Sequence, residues 1–240
     1  VILKNDYGRP VTLVQPRTGL KISQRNVSNE ITKLKENQMT WIETIPYEQS
    51  TGKLRKLYDR VKGPDNNVDN IMMAHSLRPH SMEGHMAIYK YVLHHNNNTI
   101  PKWFLETIGV WVSLLNKCNY CVDHHFSGLM RLLGDDAKSS SIRKALDTAS
   151  INTGPFDEQQ KAALEYAKIL TLNADQVIKQ DIVDLRVTGL SDGEILEINQ
   201  VTSYFCYANR TVLGLGCSTK GDVLGLSPNN SGGEDDWSHT

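Results

Sequence analysis

The stretch PKWFLETIGVWVSLLNKCNYCVDHHFSGLMRLL, from Pro101 to Leu133, decides the fold of this 240-residue chain. Proline opens the stretch at a position that the first turn of a helix tolerates. Apolar residues then surround a helical axis as far as Leu115, which is typical of a helix buried on all sides. A second helical pattern runs from Cys118 to Leu133 and is closed by Gly134. The sequence therefore predicts two consecutive helices, the first of them buried.

Helical spacing of apolar residues continues on both sides of this stretch. Further helices are predicted over 53–61, 79–95, 139–149, 157–172, 178–187 and 195–213. A Ser191–Glu194 capping box precedes the last of them. Because strands and helices do not alternate, a parallel sheet is not expected. We predict an all-α fold, with the helical domain over residues 41–217.

Both ends of the chain differ in composition from this domain. Residues 1–40 are polar and irregular, and we expect an extension that packs on the surface or on a neighbouring subunit. Alternating residues at 11–14 indicate a short strand within it. Residues 218–240 end in a run rich in Asn, Gly and Asp, which cannot bury enough apolar surface to order itself. We predict a flexible tail there.

The overall composition excludes several classes of function. The formal net charge is −1, so no basic excess points to nucleic acid or to an anionic membrane surface. No apolar run reaches the roughly 18 residues that a membrane span requires. The start of the chain lacks the apolar core of a signal peptide, and a cytoplasmic location is expected. Four cysteines in this length are not a disulfide framework.

Glu106 is the lone charge inside the predicted buried helix. An isolated buried carboxylate is too costly, so this one must be paired, hydrogen-bonded or protonated. One interpretation is structural, with an arginine or a helix N-terminus satisfying the carboxylate. The other is functional, since perturbed carboxylates cluster at sites of proton transfer. Glu106 by itself leaves both interpretations open.

Cys118, Cys121 and His125 fall on one narrow stripe of the second helix. At about 100° per residue they lie near 0°, −60° and −20°, whereas His124 lies near −120°. The cysteine pair begins the helix, where free backbone N–H groups and the macrodipole favour a thiolate. We therefore expect thiol pKa values below the usual value of about 8.5, and a redox-active pair.

The cysteine pair has two other interpretations, a metal site and an inert pair. Cys118 and Cys121 could bind zinc with His124 and His125, but a structural zinc site usually draws a second ligand pair from elsewhere. Cys206 and Cys217 have no such spacing and are expected to be small buried side chains, so no metal is predicted. An inert pair would leave the placement of Glu106 and His125 unexplained. The remaining histidines, including a polar helix end at 94–95, and the Tyr and Trp residues are assigned no role in the site.

The pattern Glu106-x11-Cys118-x2-Cys121-x3-His125 resembles the active-site signature of the alkylhydroperoxidase D-like (AhpD-like) family, within the carboxymuconolactone decarboxylase superfamily. Similarity to the subgroup of peroxidase-related proteins extends over roughly residues 41–215. It rests further on the stretches Ile45–Glu48, Asn116–Cys121 and Tyr204–Arg210.

This resemblance implies an all-α fold, assembly into homo-oligomers and reduction of a hydroperoxide substrate without a bound cofactor. Cys121 would attack the peroxide, Cys118 would resolve the product into a disulfide, and Glu106 and His125 would relay protons. An external dithiol would then reduce the disulfide. The chain departs from the family at Tyr120, where the best-studied members have a second relay histidine. Tyrosine, with a pKa near 10, is a poor proton carrier at neutral pH.

Two alternatives belong to different functional classes. A lactone decarboxylase of the same superfamily would use Glu106 and His125 as acid and base, and both cysteines would be dispensable. A non-enzymatic module that binds metal or mediates oligomerisation would depend on metal content rather than on thiol state.

Overall fold

The computed structural model describes residues 39–226 and the backbone of two short segments, 3–4 and 10–11. The chain divides into two compact units, residues 1–38 and 39–240. In the first unit, β1 (Leu3–Lys4) pairs antiparallel with β2 (Pro10–Val11), and Leu3 lies opposite Val11. The strand expected at 11–14 thus shares Val11 with β2, while residues 12–14 lie outside the described residues.

Within residues 39–226 the regular structure is helical, which confirms the predicted all-α fold. The helices are α1 (Gly52–Val61), α2 (Asn70–Ala74), α3 (Pro79–Tyr89), α4 (Lys102–Leu115), α5 (Asn119–Leu133), α6 (Asp136–Asp147), α7 (Glu158–Leu172), α8 (Lys179–Val187) and α9 (Asp192–Leu215). Only the five-residue α2 had no predicted counterpart, because it is too short to show a period. Over the described part of the chain, no helix is long and apolar enough to cross a membrane.

Helix α4 lies at the centre of the domain, packed between α5, α7 and α9. Every residue from Phe104 to Ser113 is buried, as the apolar pattern predicts. Gly109 allows α4 to approach α9 closely, since a side chain there would collide with the ring of Phe205. Burial of one Leu or Phe side chain contributes about 1.5–3 kcal/mol, so this core fixes the positions of α4 and α5 firmly.

Helix α3 does not continue as a regular helix to residue 95, as the sequence predicted. It gives way at Lys90–His94 to a π-helical turn, and His95 is extended. A π turn holds more residues per turn than an α-helix, so it changes which side chains face the interior. His94 is consequently buried, with 4% of its surface exposed, and does not lie on a polar helix end.

The segment after α9 differs from the predicted flexible tail over residues 218–226. The left-handed Gly216 (φ 63°) ends α9, and the chain then turns back towards α2 and α5. Asn70 donates its side-chain amide to the carbonyl of Ser218 at 2.7 Å, and its backbone N–H to Asp222 at 3.0 Å. We call residues 217–226 the C-terminal segment. Residues 227–240 lie outside the described part of the chain.

Candidate active site

The cysteine pair begins helix α5. Cys118 is the N-cap residue and Cys121 lies one turn further along, so the helix itself sets their separation. Their sulfurs are 2.7 Å apart, beyond the covalent distance of about 2.05 Å, so the two cysteines are adjacent without being bonded. Cys118 is 0% exposed and Cys121 is 3% exposed. The two sulfurs are therefore placed for exchange of a proton or formation of a disulfide.

The two thiols differ in their acidity. The hydrogen bond from Cys121 lowers the pKa of Cys118, which confirms the expected direction for that residue. Burial raises the pKa of Cys121 well above its usual value, and the hydrogen bond with Cys118 acts in the same direction. The prediction of a lowered pKa is wrong for Cys121, because angular position on a helix does not reveal how deeply a sulfur is buried.

Glu106 and His125 form a direct pair between α4 and α5. His125 Nδ1 lies 2.6 Å from Glu106 Oε2, and Glu106 is only 2% exposed. An ionised carboxylate only accepts hydrogen bonds, so Nδ1 carries the donated proton and Nε2 is left free to accept one. The edge of the His125 ring contacts Phe205, with ring centroids 4.5 Å apart. This histidine, rather than an arginine, satisfies the buried carboxylate.

His124 faces a different carboxylate. Its Nε2 lies 3.0 Å from Asp222 Oδ2 in the C-terminal segment. The Tyr120 hydroxyl donates to the same oxygen at 2.7 Å and accepts from the backbone N–H of Ile71 at 3.1 Å. Burial raises the pKa of Tyr120 well above its usual value, so this tyrosine is not a proton carrier near neutral pH.

A cavity of about 60 Å³ brings the predicted residues together. Cys121, Glu106 and His125 line it, and Cys118 lies behind Cys121, outside the lining. Much of the remaining wall is apolar or aromatic, formed by Ile71, Met72, Tyr89, Tyr204, Ala208 and Leu226. Such a wall limits access of water to the sulfur. Only small reactive groups fit beside Cys121.

Several residues of this site had no role assigned from the sequence. His85, Tyr89 and Tyr204 line the cavity, and His94 lies within 3.8 Å of Glu106. Burial lowers the pKa of His85 to about 3 and that of His94 to about 4, so both imidazoles are neutral at neutral pH. The sequence offered one signal, for His85 alone, which falls among the buried positions of α3 with Met82 and Met86.

Asn209 of α9 forms a hydrogen bond with Cys121 of the cysteine pair. Asn209 is fully buried, accepts from the Asn116 amide at 3.0 Å and donates to Ser113 Oγ at 3.1 Å. Its hydrogen bond to Cys121 favours the thiolate and partly offsets the effect of burial. Cys217 is buried beside the pair, as expected, whereas Cys206 is only half-buried.

One group of side chains has the composition of a metal site. Ligand atoms of Asp69, His124 and Asp222 lie within 4.8 Å of one another. Asp222 already accepts hydrogen bonds from the Asn70 backbone, the Tyr120 hydroxyl and His124, and these account for its placement without an ion. The two cysteines do not belong to this group.

Comparison with solved structures places this architecture among AhpD-like proteins. An uncharacterized peroxidase-related protein from Ralstonia eutropha JMP134, described as an alkylhydroperoxidase AhpD core, superposes with a TM-score of 0.67 at 19% identity, over 79% of this chain and 97% of its own. A second peroxidase-related protein, from Silicibacter sp. TM1040, gives 0.62 at 23% identity, over 77% and 90%. The debrominase Bmp8 gives 0.61 at 16% identity, over 76% and 92%.

These likenesses establish the AhpD-like all-helical fold that the sequence resemblance predicts. No protein-family model matches the chain, and no curated protein matches it. Since the structural relatives include proteins described as peroxidase-related and one described as a debrominase, the fold is compatible with more than one chemistry.

Proposed function

We propose that this chain is a thiol-dependent peroxidase or disulfide oxidoreductase that reduces hydroperoxides with its Cys118–Cys121 pair. The observation that carries the proposal is the shared cavity. Cys121 lines it together with the Glu106–His125 pair, while Cys118 lies 2.7 Å behind as a second sulfur. A nucleophile, a proton carrier and a resolving thiol are the three groups that this chemistry needs.

The reaction starts with removal of the Cys121 proton. His125, which lines the same cavity, takes this proton on its free Nε2. The Cys121 thiolate then attacks one oxygen of the peroxide, an S–O bond forms and the O–O bond breaks. Two electrons pass from sulfur to the peroxide, leaving a sulfenic acid on Cys121 and releasing an alcohol or water.

His125 and Glu106 manage the proton of the leaving oxygen. The proton that His125 takes from Cys121 would pass from Nε2 to the departing alkoxide, and until then the carboxylate of Glu106 would stabilise the positive charge on the ring. Glu106 Oε2 also holds Nδ1 in its protonated form, which directs Nε2 away from the carboxylate. In this scheme Glu106 orients His125 and does not contact the peroxide itself.

Cys118 completes the cycle. Its sulfur attacks the sulfenic acid, a disulfide forms and water leaves. An external dithiol then opens the disulfide by exchange, becomes a disulfide itself and returns both cysteines to the thiol form. The reductant, the homo-oligomeric assembly and the cytoplasmic location are further parts of the proposal.

Turnover in the presence of a simple dithiol tests this function. With dithiothreitol as reductant, we expect repeated consumption of cumene hydroperoxide and hydrogen peroxide by the parent. Loss of either cysteine of the pair should end turnover, whereas Cys217→Ser, a buried neighbour outside the pair, should retain it. Unchanged consumption of peroxide after loss of both Cys118 and Cys121 would contradict the thiol-based function, and no consumption by the parent would leave the non-redox lyase, which uses only Glu106 and His125, as the alternative.

A further inference from the structure

His94 has an unusual position for a histidine. It is the last residue of the π-helical turn Lys90–His94, and this turn directs the ring inwards against Tyr89, with centroids 4.8 Å apart. π turns inside helices occur frequently at functional sites. Glu106 lies between two imidazoles, with Oε2 facing His125 and Oε1 facing His94.

The Nε2 atom of His94 is buried and has no hydrogen-bond partner. It lies 3.8 Å from Glu106 Oε1, which is beyond hydrogen-bond length. This contact is not an ion pair, because burial holds the pKa of His94 near 4 and keeps the ring neutral. A buried nitrogen without a hydrogen-bond partner destabilises the folded state, so its retention here needs an explanation.

We propose that His94 is a positioning residue for Glu106, which donates from Nε2 to Oε1 directly after a small shift or through one water. The effect on catalysis rests on the proposed function. The donated bond keeps the carboxylate ionised and oriented, so that Oε2 continues to accept from His125. Glu106 would then accept hydrogen bonds from two imidazoles, from His125 at Oε2 and from His94 at Oε1.

The surroundings of Glu106 leave few other groups for this task. The ionisable groups that act on Glu106 or on its histidine partners include His85, which burial keeps neutral, and Tyr89, His94, Lys102, His125, Arg131 and Tyr204. Burial raises the pKa of both Tyr89 and Tyr204 far above neutrality, so neither carries a charge there. Lys102 and Arg131 lower the pKa of His94 further and so help to keep it neutral.

Three variants separate hydrogen bonding from packing. His94→Gln places an amide N–H near the position of Nε2, His94→Asn places one near Nδ1, and His94→Leu keeps volume without a donor. His80→Gln, on the exposed face of α3, is the matched control for loss of a histidine. The readouts are the ¹⁵N spectrum of the His125 ring between pH 5 and pH 9, and the pH profile of a single peroxide turnover.

We expect His94→Leu and His94→Asn to weaken the Glu106–His125 hydrogen bond at acid pH, because a buried carboxylate without a donor is less stable in its charged form. His125 would then no longer be protonated only at Nδ1. The acid limb of the profile of rate against pH would move to higher pH by about one unit, which lowers the rate at a given pH on that limb about tenfold. His94→Gln should restore both readouts, and His80→Gln should match the parent.

Two results would overturn the inference. One is a His94→Leu protein whose His125 spectrum matches that of the parent. The other is an equal change in the Gln and Leu variants, which would make His94 a packing residue. If the parent does not react with peroxide, the proposed function falls, and the His125 spectrum still decides the role of His94.

Discussion

His124 and His125 are neighbours on helix α5, yet they lie in different surroundings. His125 contacts Glu106 of the buried helix α4, at the cavity that also contains Cys121. His124 also lines this cavity, but its imidazole contacts Asp222 of the C-terminal segment. The rotation of about 100° between successive helical residues produces this divergence. Two identical side chains thus acquire different tasks from the carboxylates that they meet.

The two carboxylates differ in what else they bind. Glu106 pairs with His125 at Oε2 and has the His94 nitrogen 3.8 Å from Oε1, so its neighbours are side chains of the cavity region. Asp222 accepts from Asn70, Tyr120 and His124, and this joins the C-terminal segment to α2 and α5. We therefore expect substitutions around His125 to lower the rate of the reaction, and substitutions around His124 to lower the free energy of unfolding.

The largest effect on the reaction is expected from substitution of Cys121, which lines the same cavity as His125. Cys121→Ser should abolish the peroxide reaction, because a hydroxyl has no comparable nucleophilicity at neutral pH. Cys118→Ser should permit one attack and leave Cys121 as a sulfenic acid. Single-turnover peroxide consumption, with trapping of the sulfenic acid by dimedone, distinguishes the two variants. Full turnover by Cys121→Ser would assign the attack to another group.

Glu106→Gln should slow the reaction by about 10²–10⁴-fold, the usual range for loss of a general acid–base function. Gln keeps the shape and hydrogen-bonding capacity of Glu106 but removes its charge, so helicity measured by circular dichroism should not change. Single-turnover rates measure the effect. A variant as fast as the parent would make Glu106 a structural residue and the His125 relay untenable.

Acid should destabilise the protein through the buried histidines near the cavity. Unfolded histidine binds a proton below about pH 6.5, whereas folded His85 and His94 resist protonation down to about 3 and 4. The unfolded state therefore binds more protons in this window, and stability falls as pH falls from about 6.5. At about 1.4 kcal/mol per unit, each histidine accounts for roughly 3–5 kcal/mol.

Urea unfolding between pH 7 and pH 4 measures this loss. His85→Phe should flatten the dependence of the unfolding free energy on pH, and the exposed His80→Gln should leave it as in the parent. A dependence equally steep in His85→Phe would show that His85 titrates normally in the folded state.

The smallest effect is expected on the His124 side. Asp222→Asn should cost about 1–3 kcal/mol of stability, since it replaces an acceptor-only group that serves several buried donors. The rate of the peroxide reaction should change by less than about threefold, because this carboxylate contacts neither sulfur. Asp123→Asn, one residue before His124 and exposed, is the matched control. A large loss of rate with unchanged stability would place Asp222 in the chemistry.

Periodicity and spacing made much of this arrangement predictable. A helix apolar on every side had to be buried, and a single carboxylate within it had to find a partner. The angles of α5 separated His125 from His124 before any contact was known. These inferences depend only on local geometry, which the order of residues fixes.

Contacts between distant parts of the chain were not predictable in the same way. His94 faces Glu106 because a π turn follows α3, and no pattern in the sequence predicts that turn. Asp222 lies 98 residues beyond His124, in a stretch whose polar composition suggested a loose tail. The raised pKa of Cys121 likewise depends on burial by α9, which lies far along the chain.

Intact mass after one equivalent of peroxide tests the central claim most directly. The account predicts a loss of about two mass units per chain, the two hydrogens removed when the Cys118 and Cys121 thiols become a disulfide. Peptide mapping should then place that disulfide between these residues, and dithiothreitol should restore the original mass. An unchanged mass, with both thiols free to alkylate after peroxide treatment, would contradict the account.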